Sequence, residues 1–178
     1  MSELIDDAGR LAALFRGFTG GYGTYNARLL GNAKGKQKVQ QSMVKEPQTI
    51  NLFKAHLSGQ TPVGIYLLDD NEKVSFGAID IDQYPIDHGA LANRLDELSL
   101  PLIVCNSKSG GAHVYVFFES PQDPAKTIGN LKVIAEAVGY PGAEVFPKQV
   151  KRPSGGYGNY INLPFFGHSS LEYACYTP

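Results

Sequence analysis

A chain of 178 residues suits one large domain or two lobes sharing a core, and is too short for a multidomain assembly. Hydrophobic residues at 43% and charged residues at 19% exclude a disordered or low-complexity chain. The formal charge of −1 provides no general basic field, so contact with nucleic acid has to come from local patches or from metal. From the N-terminus, Leu4, Ile5, Leu11, Leu14 and Phe15 recur at helical intervals behind an acidic first turn, which predicts a helix over 2–15. Arg28, Lys34, Lys36, Lys38 and Lys45 follow with no acid among them, interrupted by Gly31 and Gly35; this basic loop or hairpin suits either solvent or the phosphates of a template. TINLFKAHL places Ile50, Phe53 and Leu57 on one helical face, and Gly59 ends it.

Beyond Pro62 the period changes. VGIYLL and VSFGAIDID are β-branched and aromatic runs separated by DDNEK, the pattern of a hairpin. The order then reads strand 76–82, helix 88–98, strand 102–106, turn SKSGG, strand 112–119, helix 124–138 and strand 144–146. This β-α-β-β-α-β order predicts an α+β fold, a ferredoxin-like, RRM-like sheet with both helices on one face and the other face open. The chain is expected to be a single core over 1–178, with an N-terminal α/β lobe over 1–70 and the catalytic lobe over 71–178.

Side chains alternate along a strand, so Phe76, Ala78, Asp80 and Asp82 share the open face while Gly77, Ile79 and Ile81 face the helices. The same rule sets His113, Tyr115 and Phe117 with the aspartates, assigns Val114, Val116 and Phe118 to the helix side, and turns Glu144 and Phe146 outward. Asp80 and Asp82 then stand about 6 to 7 Å apart on one face. Two such charges repel by about 3 kcal/mol at an effective dielectric near 20, and Glu144 adds to that, so a positive partner is required. Hard oxygen ligands with one histidine favour Mg²⁺ or Mn²⁺ over zinc, with a triphosphate supplying further oxygens. A lone D-x-D has little specificity, but apolar residues flank this one in AIDID.

SKSGGAHVYVFF is a glycine-rich turn leading into a strand whose first outward residue is His113. Backbone N–H groups at Gly110 and Gly111, the hydroxyls of Ser107 and Ser109, and the charges of Lys108 or His113 suit a triphosphate; an ordinary glycine hairpin with a half-exposed histidine fits the turn alone. EVFPKQVKRPSGGYGN brings Lys148, Lys151 and Arg152 just after the third acid, and Asn159 and Asn162 suit either a base or sugar contact or a turn cap. His56, His88 and His168 read as structural or exposed. Cys105 and Cys175, far apart and without zinc spacing, read as buried thiols of a reducing compartment. No apolar run approaches the roughly 18 residues of a membrane span, and the N-terminus lacks a signal-peptide pattern, so a cytoplasmic protein is expected.

With these residues in view, the sequence resembles the archaeo-eukaryotic primase superfamily, in particular the primase-polymerase branch of phages, plasmids, CRISPR-associated proteins and TOTE conflict systems. AIDID at 78–82 resembles its first acidic motif and SGGAH at 109–113 its serine-to-histidine motif. EVFPKQ followed by GGYGNYINLPFF resembles the third acidic motif and the segment after it. The resemblance implies template-directed nucleotidyl transfer on DNA: primer synthesis from NTPs or dNTPs, primer extension, or both. It implies two Mg²⁺ or Mn²⁺ ions on Asp80, Asp82 and Glu144. It further implies an incoming nucleotide held by Lys108, Ser109, Gly110, Gly111, His113, Lys148, Arg152 and Asn159. Glu144 departs from the pattern, which more often has aspartate. Such cores often accompany a helicase, so a helicase outside this chain is an expected partner and the chain is expected to be an excised catalytic core. Two other readings share the sheet: an RNA-recognition module with Tyr115 and Phe117 stacking bases, and a two-metal nucleotidyl cyclase. A replication-initiator nuclease would need a His-x-His pair, which the sequence lacks.

Overall fold

A computed structural model of the chain describes residues 2–26, 40–167 and 175–176, the first five and last two of these by backbone only. The elements in order are α1 (Ser2–Leu14), β1 (Tyr22–Tyr25), β2 (Gln41–Val44), α2 (Ile50–Leu57), β3 (Gly64–Tyr66), β4 (Val74–Ile81), α3 (His88–Glu97), β5 (Ile103–Asn106), β6 (Ala112–Gln122), α4 (Pro124–Ala137), β7 (Glu144–Phe146), β8 (Tyr160–Asn162) and β9 (Cys175–Tyr176). Helix starts follow local chemistry. The Oγ1 of Thr49 accepts from the Leu52 N–H at 3.3 Å, and the carboxylates of Asp87 and Asp123 accept from the Ala90 and Lys126 N–H groups at 2.9 and 3.1 Å. Pro124 then opens α4, where its missing N–H costs nothing.

The strands form two sheets, β2-β1-β3-β8 and β7-β4-β6-β5-β9. In the second sheet β4 lies between β7 and β6 and is antiparallel to both. The predicted alternation holds along β4: Ile79 and Ile81 enter a core with Leu91, Leu95, Leu131 and Ala135 from α3 and α4, while Phe76 and Ala78 enter a second core on the opposite face. A Cβ on Gly77 would stand 2.9 Å from Leu131 and 3.0 Å from Thr127, so its bare backbone lets α4 lie close to the sheet.

Several expectations are corrected. The face opposite the helices is not open over most of its length: Phe15 at the end of α1 meets Phe76, Tyr115 and Phe117 edge-on at 5.1, 5.0 and 5.1 Å, and Leu11, Phe53, Leu57 and Ile65 complete that core. Phe118 joins this core and leaves the helix side, because the β4–β6 register shifts between Val74 and Phe76 and breaks the alternation. β3 and β4 are not paired as a hairpin. β3 lies between β1 and β8, and only the turn is tight, with the Asp69 carboxylate accepting from the N–H groups of Asn71 and Lys73 at 2.8 Å each. β8 returns to the first sheet, so residues from both sides of position 70 build it. Cys105 is disulfide-bonded, not a free thiol, and stands opposite Cys175 in the β5–β9 register. The predicted basic segment falls largely on 27–39 and His168 on 168–174, outside the described residues. No helix among the described residues is long and apolar enough to cross a membrane.

His56 ties α2 to the chain after β8. Its Nδ1 accepts from the Val63 N–H at 3.0 Å and its Nε2–H donates to the Pro164 carbonyl at 2.7 Å, a pattern only the neutral ring satisfies with both bonds. Burial lowers its pKa to about 4, against a smaller opposing effect of the Pro164 bond. The unfolded chain therefore binds this proton more readily, and stability falls as pH drops from about 6.5 towards 4. The expected loss from this group is on the order of 3 kcal/mol across that window. Urea denaturation at a series of pH values, set against His56→Gln, measures it; equal slopes for the two proteins in that window would contradict the assignment.

Candidate active site

Where the apolar face of the second sheet ends, its residues turn polar. Asp80 is the first position on this face of β4 beyond the cover of α1, and the registers set it opposite His113 on β6 and Glu144 on β7. Asp82 follows one residue past the strand, exposed. These strand ends, the Ser107–Gly111 turn and the β8 strand of the other sheet enclose a cavity of about 180 Å³. Asp80, Asp82, Lys108, Ser109, His113, Glu144, Lys148 and Asn159 line it, together with Gln41, Ser107, Phe146, Tyr160, Ile161 and Asn162.

Each carboxylate has a partner. Asp80 Oδ1 lies 3.4 Å from His113 Nε2, and the Tyr84 hydroxyl donates to Asp82 at 3.0 Å. Lys148 pairs with Glu144 at 2.5 Å while its ammonium also lies over the Phe146 ring. Lys108 reaches the cavity from the turn and rests over Tyr25, 4.3 Å from the ring centroid. Burial draws the Lys108 pKa down, and the charges of Asp80 and Asp82 act against that. Among the described residues no three His, Cys, Asp or Glu side chains are gathered into a group that could hold a metal ion. The carboxylate oxygens are nonetheless hard donors of the kind that divalent ions take, and the one on Glu144 is paired with Lys148.

His113 is buried and oriented from below. Tyr115, fully buried, donates its single hydroxyl proton to the Asn162 carbonyl at 3.0 Å, so its oxygen accepts from His113 Nδ1–H at 2.8 Å. That chain directs Nε2 towards Asp80 and the cavity. Burial, with the Asp80 charge adding to it, raises the Tyr115 pKa well above the ordinary phenol value, which keeps the hydroxyl protonated. The turn is fixed too: His88 donates from Nε2 to the Gly111 carbonyl at 2.9 Å, Gly110 takes φ +86°, and a Cβ on Gly111 would stand 2.3 Å from the Ile81 carbonyl oxygen. Two buried polar atoms in the lining, Ser107 Oγ and Asn162 Oδ1, have no hydrogen-bond partner.

Of the residues singled out from sequence, the structure brings Asp80, Asp82, Glu144, Lys108, Ser109, His113, Lys148 and Asn159 to one cavity. Gly110 and Gly111 shape its turn without lining it. Arg152 lies outside the lining: it pairs with Asp70 at 3.0 Å and stacks on Phe18, 4.3 Å from the ring centroid, because the loop after β7 runs back over the first sheet. Gln41, Tyr160 and Tyr84 have no site role in the sequence reading, and the burial of Tyr115 excludes the base stacking that the alternative RNA-recognition reading gives it. Gln41 and Tyr160 belong to the first sheet and carry no local signal; only the docking of the two sheets sets them beside the acids.

The chain is an archaeo-eukaryotic primase domain, since the model of that domain family matches residues 19–175. Within the superfamily the match is to the primase domain of TOTE conflict systems, and the chain belongs to that family. Membership implies a primase- or nucleotidyltransferase-type function on nucleotide and nucleic-acid substrates. No curated protein gives a significant match to the chain.

Tyr115→Phe removes one hydroxyl and leaves the Asn162 carbonyl and the His113 Nδ1–H without partners. A stability loss of about 1 to 3 kcal/mol is expected in urea denaturation. A loss below about 0.5 kcal/mol would mean that the hydroxyl does not join the two sheets.

Proposed function

We propose that this chain is the catalytic core of a template-directed nucleotidyltransferase, acting as a DNA primase, a primer-extending DNA polymerase or both. The observation that carries this reading is the presence of both signs of charge in one cavity: carboxylates from β4 and β7, with Lys108, Lys148 and His113 set among them. A cavity lined with both signs suits a metal-bound triphosphate, which presents cation and anion together. We read the second sheet as RRM-like, since the four strands of the predicted unit run in the order fourth, first, third, second, with β9 added at the edge.

In this reading Asp80, Asp82 and Glu144 hold two Mg²⁺ or Mn²⁺ ions. When bound, the ions favour ionisation of a 3′-hydroxyl and neutralise the charge that develops on the leaving pyrophosphate. The chain's own groups do the rest. Lys108 and Lys148 bind phosphate oxygens, and Lys148 releases Glu144 as it does so. Ser109 and the N–H groups of Gly110 and Gly111 donate to the same oxygens, and His113, held by Tyr115, presents Nε2 to them. Asn159, with the unpartnered oxygens of Ser107 and Asn162, binds the sugar or base. The 3′-oxygen forms a bond to the α-phosphorus as the bond to pyrophosphate breaks, and the hydroxyl proton passes to solvent. A base-stacking module is less well supported, because Phe15 covers the face on which Tyr115 and Phe117 would stack.

A primer–template assay with Mg²⁺ or Mn²⁺ and labelled nucleotide tests the reading. The unaltered protein is expected to extend the primer in template order, and Asp80→Ala with Asp82→Ala to lose at least about a hundredfold of that rate. Omitting the primer tests priming. Template binding with no incorporation by either protein would overturn the enzyme reading.

A further inference from the structure

The registers of the second sheet set one row of residues across all its strands: Glu144 on β7, Asp80 on β4, His113 on β6, Cys105 on β5 and Cys175 on β9. Directly opposed residues share a face and stand about 5 Å apart, so the row that begins with the acids runs on into the cysteines. His113 is its middle member, with Asp80 on one side and Cys105 on the other. Cys105 is buried in the same core as Tyr115, the residue whose hydroxyl holds His113. It is disulfide-bonded, and the sequence holds one other cysteine, so the bond ties β5 to β9.

That tie is placed where the sheet is weakest. β9 is the edge strand and pairs with β5 only at Val104↔Tyr176 and Cys105↔Cys175. So short an edge strand has few ladder bonds to hold it and opens easily unless it is linked covalently. With β9 in place β5 is an interior strand, and with β9 released β5 becomes the edge. β5 ends at Asn106 and runs directly into the Ser107–Gly111 turn, which brings Lys108 and Ser109 to the cavity. The pairing of β5 therefore bears on the flank of His113 and on the root of that turn together.

Resting on the polymerase reading, we infer that the disulfide between Cys105 and Cys175 is a redox-sensitive brace that positions His113 for the incoming nucleotide, and that its reduction weakens nucleotide binding. A dithiol reduces it in two exchanges. Because Cys105 is buried, one thiolate of the reductant attacks the Cys175 sulfur as the bond to Cys105 breaks, and the second then displaces Cys175. Two electrons pass to the protein, the two protons of the dithiol end on the two cysteines, and the reductant leaves as a cyclic disulfide. His113 keeps its bond to Tyr115 but loses the fixed strand on its other flank.

The test uses the full chain with Mg²⁺, oxidised in air or reduced with dithiothreitol. Maleimide labelling of the denatured protein counts free thiols, calorimetry gives the nucleotide Kd, and a primer–template gives steady-state incorporation. No thiol is expected in the oxidised protein and two in the reduced one. Small displacements of a binding group are costly, so reduction is expected to raise the nucleotide Kd and KM about tenfold, and reoxidation to restore them. Cys175→Ser, which leaves Cys105 in the core, should match the reduced protein and ignore the reductant. His113→Ala should bind nucleotide weakly and equally in both states, within about twofold, whereas a general loosening of the sheet would weaken it further on reduction. Two thiols in the oxidised protein, normal incorporation with no rise in nucleotide KM on reduction, or an equal rise in His113→Ala overturns the inference alone. A redox shift in nucleotide Kd that needs His113 but comes without incorporation supports the brace and overturns the polymerase reading. Absence of both nucleotide binding and incorporation in either state overturns both.

Discussion

The arrangement depends on the two-residue alternation of β4. One face of that strand and its extension must be apolar at Phe76 and Ala78 and acidic at Asp80 and Asp82, all between positions 76 and 82. An unpaired carboxylate cannot follow the phenylalanine into a dry core without a large desolvation cost, so the covering layer has to stop between Ala78 and Asp80. It does: Phe15 covers Phe76, and Asp80 is left partly accessible, with its side chain 20% exposed beside a His113 that is only 6% exposed. The boundary between core and site is therefore the point where α1 ends.

Beyond that boundary the second sheet supplies acids and the first supplies walls. β8 is the shared part. Its backbone carbonyl at Asn162 anchors Tyr115, and Tyr115 sets the orientation of His113. Next to it Tyr160 lies flat on β1 and β3, where a Cβ on Gly23 or Gly64 would stand 2.3 or 2.1 Å from its ring. Its hydroxyl donates to the Thr24 carbonyl at 3.0 Å, and burial lifts its pKa to about 12, with Tyr66 and Tyr25 adding to the rise. Tyr160 thus remains a neutral wall. Two glycines in neighbouring strands keep the cavity's floor in place, a role invisible at either position alone.

Charge balance in the site follows the same economy of parts. Lys148 and Glu144 are four residues apart across the turn after β7, close enough to neutralise each other until a stronger partner arrives. Lys108 sits half-buried between the Tyr25 ring and the aspartates, where desolvation and attraction act in opposite directions on its charge. Groups held in such opposition respond readily to a change of charge beside them.

The periodicities of 2 and 3.6 determined α2, α3, α4, the four strands of the β-α-β-β-α-β unit and the faces of Asp80, His113 and Glu144, because each is a property of neighbours in the chain. AIDID and SGGAH were legible for the same reason: a short segment carries both the polar residues that line the cavity and the backbone geometry that aims them. Only the tertiary structure decided what lies over the sheet. Phe15 on Tyr115, the bulge that turns Phe118 to the other face, the return of β8 to the first sheet, Arg152 drawn to Asp70 and the bonding of Cys105 are contacts between residues distant in sequence. No local pattern encodes them, since they arise when the two sheets bury their apolar faces against each other, and that burial determines where the cavity can open.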